Sequence, residues 1–217
     1  FAASGQYRPF SYVNSKGELT GFDIEVGMGI AEKLNKEPKA LKYKFSALIE
    51  GIKSGRFDAA VASHTITEDR AQYVDFSTPY YYSGPKIFVR PQSKGSKKSI
   101  QGKEIAVSKG STYAAIAEKH SDNIRIYSSD ITALQALANG RHHAVITDFI
   151  TGAKAIQSGL KLKEGELLGR SKQAVAVSKK NPELLKQVNR ALETMRKDGT
   201  LKKLSQKYFG KDITSIK

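Results

Sequence analysis

Residue types that could hold a small anion are concentrated in one stretch, Ala62-Ser63-His64-Thr65-Ile66-Thr67-Glu68-Asp69-Arg70. The apolar run Phe57-Asp58-Ala59-Ala60-Val61 before it reads as a buried strand. Thr67 can act as an N-cap, with Glu68 and Asp69 in the first turn, where the positive end of a helix favours acids. A strand would then end, the chain would turn through hydroxyl residues, and a helix would begin with Arg70 one turn in. Hydroxyls, backbone N–H groups and a guanidinium would converge at one spot, which suits a carboxylate or a phosphate. On this stretch alone, an ordinary capped helix whose Arg70 pairs with a surface acid is the simpler reading.

The elements around this stretch alternate. Gly21-Phe22-Asp23 leads into a helix that Asp23 is expected to cap, with Ile24, Met28, Ala31 and Leu34 inward and Pro38 beyond its end. Leu41 to Phe45 reads as a strand, and Ser46 caps a second helix closed by Gly55. Strand then helix at each step argues for an α/β lobe with a largely parallel sheet. Asp75 to Pro85 is irregular, and its four aromatics need something to pack on. Ile87-Phe88-Val89 is a strand, and Pro91 to Lys98 has linker composition, so the first domain crossing is expected at Val89 to Gln92.

The same rhythm restarts beyond it. Glu104 to Ser108 is a strand, Lys109-Gly110-Ser111-Thr112 turns into a helix, and Ile124 to Tyr127 is a strand. Asp130 starts a helix that Gly140 ends, and Ala144 to Thr147 is a strand with Asp148 at the next helix start. Gln173 to Ser178 reads as the return crossing. Asn181-Pro182 opens a helix that stops at Asp198-Gly199, and Thr200 caps the last one. Two crossings assign residues 1–89 and 179–217 to one lobe and 90–178 to the other.

A faint internal repeat supports this division. Ala47-Leu48-Ile49 through Gly55-Arg56 to Ser63 has the spacing of Thr132-Ala133-Leu134 through Gly140-Arg141 to Asp148. Ser63 and Asp148 would then lie at equivalent mouths of two similar lobes. Ligands of open α/β sheets bind at the carboxyl ends of strands.

Composition narrows the function. The 217 residues can bury a core as one domain or two small ones, and 39% hydrophobic with 26% charged residues describe an ordinary globular protein. No run approaches the roughly 18 apolar residues of a membrane span. Phe1-Ala2-Ala3 looks like the tail of a strand, so an upstream segment, such as a cleaved export signal, is expected to be missing. The absence of cysteine excludes disulfides, thiolate zinc sites and cysteine nucleophiles. The net charge of +15 raises nucleic acid or an anionic surface as partners. Its lysines are scattered, however, which favours solubility and weak attraction to an anionic cell surface. No Ser/His/Asp order, HExxH, Walker loop or GxGxxG is present, so hydrolase, NTPase and dinucleotide roles lack support.

An ordered set of short motifs covers nearly the whole chain: Tyr7-Arg8-Pro9-Phe10, Gly21-Phe22-Asp23-Ile24-Glu25, Gly55-Arg56-Phe57-Asp58, Ser63 through Arg70, Asp75-Phe76-Ser77-Thr78-Pro79-Tyr80, Gly110-Ser111-Thr112, Ala136-Leu137-Ala138-Asn139-Gly140-Arg141, Asp198-Gly199-Thr200 and Tyr208-Phe209-Gly210. With these the chain resembles the amino-acid-binding proteins of bacterial ABC importers, the extracellular solute-binding family for polar amino acids. The resemblance implies an α/β, two-lobed periplasmic-binding-protein-like clamshell of type II with two crossover hinge strands. It implies a monomeric binding protein rather than an enzyme, working outside the cytoplasm. Its partners would be a free L-amino acid and an ABC permease, with no nucleic acid, no cofactor and no metal, and with membrane attachment only through an upstream lipid anchor.

The same resemblance implies residue roles. Arg70 would take the α-carboxylate with backbone N–H groups at Thr65 and Thr112, and Asp148 the α-ammonium, with Ser63 and Thr65 as further polar partners. Tyr7 and Phe45 would sandwich the ligand side chain. Ser108 would face that side chain. In relatives that bind basic amino acids the position matching Ser4 is often acidic, so Ser4 here points to a neutral polar or cystine-like ligand, with a basic amino acid as the alternative. His64 stands where a small or apolar residue is more usual, and both a ligand contact and a surface position remain open for it. Dehydratases for cyclohexadienyl substrates share the fold and much of the motif set. They need a placed carboxylic acid, and besides Asp148 no second acid is expected in the pocket.

Overall fold

The computed structural model describes residues 1–215. The chain forms two compact units, Phe1–Tyr82 with Lys172–Lys217, and Ser83–Ser171. Residues 216 and 217, included in the expected first lobe, lie outside the described residues. Both crossings come earlier than the expected Val89 and Ser178, because backbone pairing decides membership. Pro85–Val89 pairs antiparallel with Ala144–Asp148 inside the second unit, whereas Ser171–Val177 pairs antiparallel with Ala59–Thr65 of the first. No helix of the described residues is long and apolar enough to cross a membrane.

The sheet of the first unit runs Leu41–Lys42, Ala2–Ala3, Ala59–Thr65, Ser171–Val177, Asp75–Phe76. Its first three strands are parallel, Ser171–Val177 is antiparallel to Ala59–Thr65 and Asp75–Phe76, and Tyr81–Ser83 pairs with Ser171–Val177 as a sixth strand, so the sheet is mixed. Ala2, Ala3, Ile24, Leu48, Ile52 and Val74 form its core. The aromatics of the irregular segment find their partners here. Tyr80 and Tyr81 are fully buried, Tyr81 stacks on Phe10 at 5.1 Å, and Phe22 meets Phe209 edge-on at 5.2 Å.

Several local expectations are corrected. Asp23 does not cap Phe22–Lys33; Gly21 does, at φ 127. The Phe22 and Asp23 N–H groups donate to the Pro9 and Phe10 carbonyls, so the helix start needs no side-chain cap. A Cβ on Gly21 would lie 2.4 Å from the Phe10 oxygen, which excludes any larger residue. Phe45 belongs to the 3-10 turn Phe45–Ala47 rather than to a strand, and Ser46 caps nothing. Thr200 is the first residue of its helix, behind Gly199 at φ 84.

The sheet of the second unit runs Ile124–Tyr127, Ile105–Ser108, Ala144–Asp148, Pro85–Val89, Lys163–Leu167, parallel over the first three strands and antiparallel over the last two. Helices Tyr113–Glu118, Asp130–Ala138 and Phe149–Gln157 follow its parallel strands. The repeat is visible in the elements. Helices Leu48–Lys53 and Asp130–Ala138 each end before a left-handed glycine, Gly55 at φ 76 and Gly140 at φ 87, and a strand follows each.

The helix Phe149–Gln157 touches its sheet through Gly152. A Cβ there would lie 1.9 Å from Cζ of Phe88, which is fully buried. Gly152→Ala is therefore expected to destabilise the protein by about 1–3 kcal/mol in urea unfolding. Gly169→Ala, which meets nothing within 4 Å, serves as the neutral control.

Candidate functional site

In the first unit the candidate residues gather at the end of Ala59–Thr65. This strand runs further than the expected Phe57 to Val61. Its register with Ser171–Val177 shifts, since Ala174 faces His64 while Ala176 faces Ala60. The extra residues form a bulge, and Ser63 lies within it at φ 60. Bulges re-aim the side chains around them, and this one precedes the turn to Arg70.

Thr67 caps the short helix Glu68–Ala71 as expected, its hydroxyl accepting from the Arg70 N–H. The turn brings the Arg70 side chain back over the strand end. Nη1 donates to the Thr65 carbonyl at 2.9 Å, and the guanidinium lies 5.5 Å from the centroid of the Phe45 ring. The Thr65 hydroxyl accepts from Nε2 of Gln173 at 3.0 Å. Thus Ser63, Thr65, Arg70 and Phe45 are brought together.

His64 packs in this cluster, but not at the surface. It is 1% exposed and stacks on Phe45 at 4.5 Å and 20°. That overturns the surface alternative, because the Phe45 ring covers the imidazole. Burial, reinforced by the nearby Arg70 charge, pushes its pKa down to about 3. The imidazole is therefore neutral, and its Nδ1 has no hydrogen-bond partner. Tyr7 stacks on Phe10 at 4.7 Å. Ser4 accepts from the Gln6 N–H at 3.2 Å and lies 3.4 Å from the Ser11 hydroxyl, a local turn contact.

In the second unit the candidate residues lie at the carboxyl edge of the parallel strands. Ser108 ends Ile105–Ser108, and Thr112 stands at the start of Tyr113–Glu118 without a side-chain capping bond. Asp148 ends its strand and caps Phe149–Gln157, with Oδ2 accepting from the Ile150 and Thr151 N–H groups at 2.8 and 3.2 Å. Those bonds favour the carboxylate, but burial outweighs them. The Asp148 pKa is pushed up to about 7 by burial, and the Asp130 charge adds to the rise.

Asp130 is the second acid that the sequence reading did not expect. Its Oδ1 accepts from Oγ1 of Thr147 at 2.7 Å and from Oγ of Ser108 at 3.0 Å. Burial raises its pKa, against the pull of these two hydroxyls. One signal could have marked it, since it follows the hydroxyl pair Ser128-Ser129 just past the carboxyl end of a strand that pairs in parallel. Asp23 and Gln173 were missed as well. Asp23, read as a helix cap, is fully buried and accepts from the Tyr80 hydroxyl at 2.6 Å and the Ser63 hydroxyl at 2.7 Å.

The comparisons agree across the chain's length. Residues 1–211 match the model of the bacterial extracellular solute-binding proteins, family 3. The chain is 34% identical over 217 residues to the L-cystine-binding protein of Escherichia coli K12, covering 97% of this chain and 82% of that protein. It is 35% identical over 222 residues to a probable amino-acid-binding protein of Bacillus subtilis 168, covering 98% and 84%. With the L-arginine-binding protein of Pseudomonas aeruginosa PAO1 it shares 31% over 225 residues, covering 95% and 86%. Among solved structures, an ancestral arginine-binding protein bound to glutamine superposes with a TM-score of 0.89 at 34% identity, covering 97% of this chain and 96% of that one. An ancestral amino-acid-binding protein described as a precursor of cyclohexadienyl dehydratase superposes at 0.90 and 29%, covering 96% and 93%.

Proposed function

Because the chain belongs to the bacterial extracellular solute-binding proteins, family 3, we propose that it captures one free amino acid outside the cytoplasm and delivers it to an ABC permease. Arg70 and the backbone at Thr65 take the α-carboxylate, and Asp148 takes the α-ammonium. Ser63 and Thr112 add polar contacts, while Tyr7 and Phe45 pack on the side chain and His64 backs the Phe45 ring. Ligand contacts shift the protein's conformational equilibrium toward the bound form.

The observation that carries this reading is the opposite hydrogen-bonding sense of the two half-sites. Ser108 and Thr147 both spend their hydroxyl protons on Asp130, so toward any further partner they can only accept. Beside the acid Asp148, the second unit therefore offers acceptors, which suit an ammonium. Thr65 accepts from Gln173, which leaves its own proton to donate next to the Arg70 guanidinium. At Thr65 and Arg70 the first unit therefore offers donors, which suit a carboxylate, whereas the Ser63 hydroxyl gives its proton to Asp23 and can only accept.

A neutral polar amino acid or cystine is the proposed ligand. Ser4 supports it, since no acid stands there to meet a distal cation, and so does the similarity to an L-cystine-binding protein. A thermal-shift screen against the twenty amino acids plus cystine tests the reading, because bound ligand stabilises by mass action. A rise in Tm with cystine or a neutral polar amino acid is expected, and no rise with any of them overturns it. Asp130 supports a second reading, because an acid beside Asp148 could protonate a leaving hydroxyl in a dehydratase. Release of phenylpyruvate from prephenate would decide for that reading.

A further inference from the structure

Two motif residues have no part in the proposed amino-acid contacts, yet the fold brings them to the strand that makes those contacts. Asp23 comes from the Gly-Phe-Asp motif and Tyr80 from Asp-Phe-Ser-Thr-Pro-Tyr. Both are fully buried, and both end on Ser63. The Tyr80 hydroxyl donates to Oδ1 of Asp23 at 2.6 Å and accepts the Ser63 N–H at 3.0 Å. The Ser63 hydroxyl donates to Oδ2 of Asp23 at 2.7 Å. Each carboxylate oxygen thus has its own donor, and Ser63 is tied through both its backbone and its side chain.

Ser63 needs such a tie. It and Asn35 are the non-glycine residues at positive φ among the described residues, and a serine there is strained. Asn35 follows the end of the helix Phe22–Lys33, where a left-handed residue is common. Ser63 is instead inside a strand, within the bulge that opens the register between His64 and Ala60. Two residues further on are the Thr65 carbonyl and hydroxyl that meet Arg70 and Gln173.

We propose that Asp23 and Tyr80 are positioning residues that clamp Ser63 in the left-handed bulge and so hold the Thr65–Arg70 end of the strand in register for the ligand carboxylate. The clamp rests on the amino-acid-binding reading for its purpose, but its geometry stands apart from that reading. Losing it lets Ser63 relax toward ordinary extended backbone, and the bulge migrates or closes. Thr65 then turns toward the other face of the strand, since a one-residue slip reverses every side chain.

Tyr80→Phe is the discriminating variant. It removes the shared hydroxyl and keeps the ring that packs against Phe22 and Tyr81. Calorimetric titration with L-cystine, L-glutamine and L-arginine, and hydrogen exchange of the 62–66 amides in the unliganded protein, are measured for wild type, Tyr80→Phe, Asp23→Asn, Ser63→Gly and Tyr80→Phe with Ser63→Gly. The expected result is affinity weakened about tenfold or more by Tyr80→Phe and by Asp23→Asn, with faster exchange at 62–66. In the Ser63→Gly background the Tyr80→Phe loss should shrink to about threefold or less, because glycine takes positive φ without a tether. A loss of the same size in both backgrounds, or a lowered Tm with unchanged affinity and unchanged exchange, overturns the clamp. If the wild-type protein binds none of the twenty amino acids or cystine, the amino-acid reading fails while the exchange data still decide the clamp.

Discussion

Arg70→Ala is expected to weaken amino-acid binding by about two to four powers of ten. A charged hydrogen bond contributes about 1.5–3 kcal/mol, a guanidinium makes two to a carboxylate, and each 1.4 kcal/mol is tenfold in affinity. Arg70→Lys should lose about one to two powers of ten, because an ammonium keeps the charge but not the planar fork. The lysine variant also loses the 2.9 Å bond that ties the side chain to the Thr65 carbonyl and the guanidinium face near Phe45. Calorimetric titration with the amino acid that gives the largest thermal shift measures both losses. Affinity within threefold of wild type for Arg70→Ala would remove the carboxylate from this position.

Asp148→Asn is expected to cost about a hundredfold or more in affinity without loss of unliganded stability. Asparagine caps helices as well as aspartate does, so the bonds to Ile150 and Thr151 survive in kind while the charge is removed. The same variant should also abolish a pH dependence. In the unliganded protein Asp148 titrates at about 7, and an ammonium pairs only with its ionised form. Wild-type affinity should therefore fall about tenfold per pH unit as the pH drops below 7, with about one proton released per ligand bound at pH 6. Titrations in buffers of different ionisation enthalpy read that proton directly, and a flat wild-type profile from pH 5 to 8 would sink the assignment.

The stability of the unliganded protein should carry the opposite pH trend. Between the ordinary value of 3.8 and about 7, folded Asp148 holds a proton that the unfolded chain has released. The folded state is then the better proton binder, so its stability is highest near pH 4 and declines toward pH 7. Asp23 adds a decline of the same sign, because burial raises its pKa to about 8 despite the hydroxyls of Tyr80 and Ser63. Chemical denaturation between pH 4 and pH 8 measures the sum. Ligand reverses the trend at the upper end, because its ammonium stabilises the ionised Asp148.

Much of the chain's identity was legible in one dimension. The Thr67 cap, the Asn181-Pro182 helix start, the strand Ile124–Tyr127 and the capping position of Asp148 all follow from residues within a turn of one another. Local chemistry settles such features, because a cap or a strand end is formed by neighbours in the chain. The ordered motifs carried the family for a related reason, since each is a short run with its own turn chemistry.

What pairs across long separations could not be read this way. The domain boundaries moved because Pro85–Val89 and Ser171–Val177 each belong to the sheet that supplies their hydrogen bonds, and a strand does not carry its partner's address in its own residues. Asp23 looked like a cap because an acid near a helix start usually is one. Only folding brings it to Ser63 and Tyr80, 40 and 57 positions away. The burial of His64 beneath Phe45 and the placing of Asp130 between two hydroxyls have the same origin. The sequence by itself determined which groups the protein possesses and which local turns present them. The tertiary structure decided which of those groups share a dielectric, a proton or a bulge, because such couplings depend on distances that chain order does not specify.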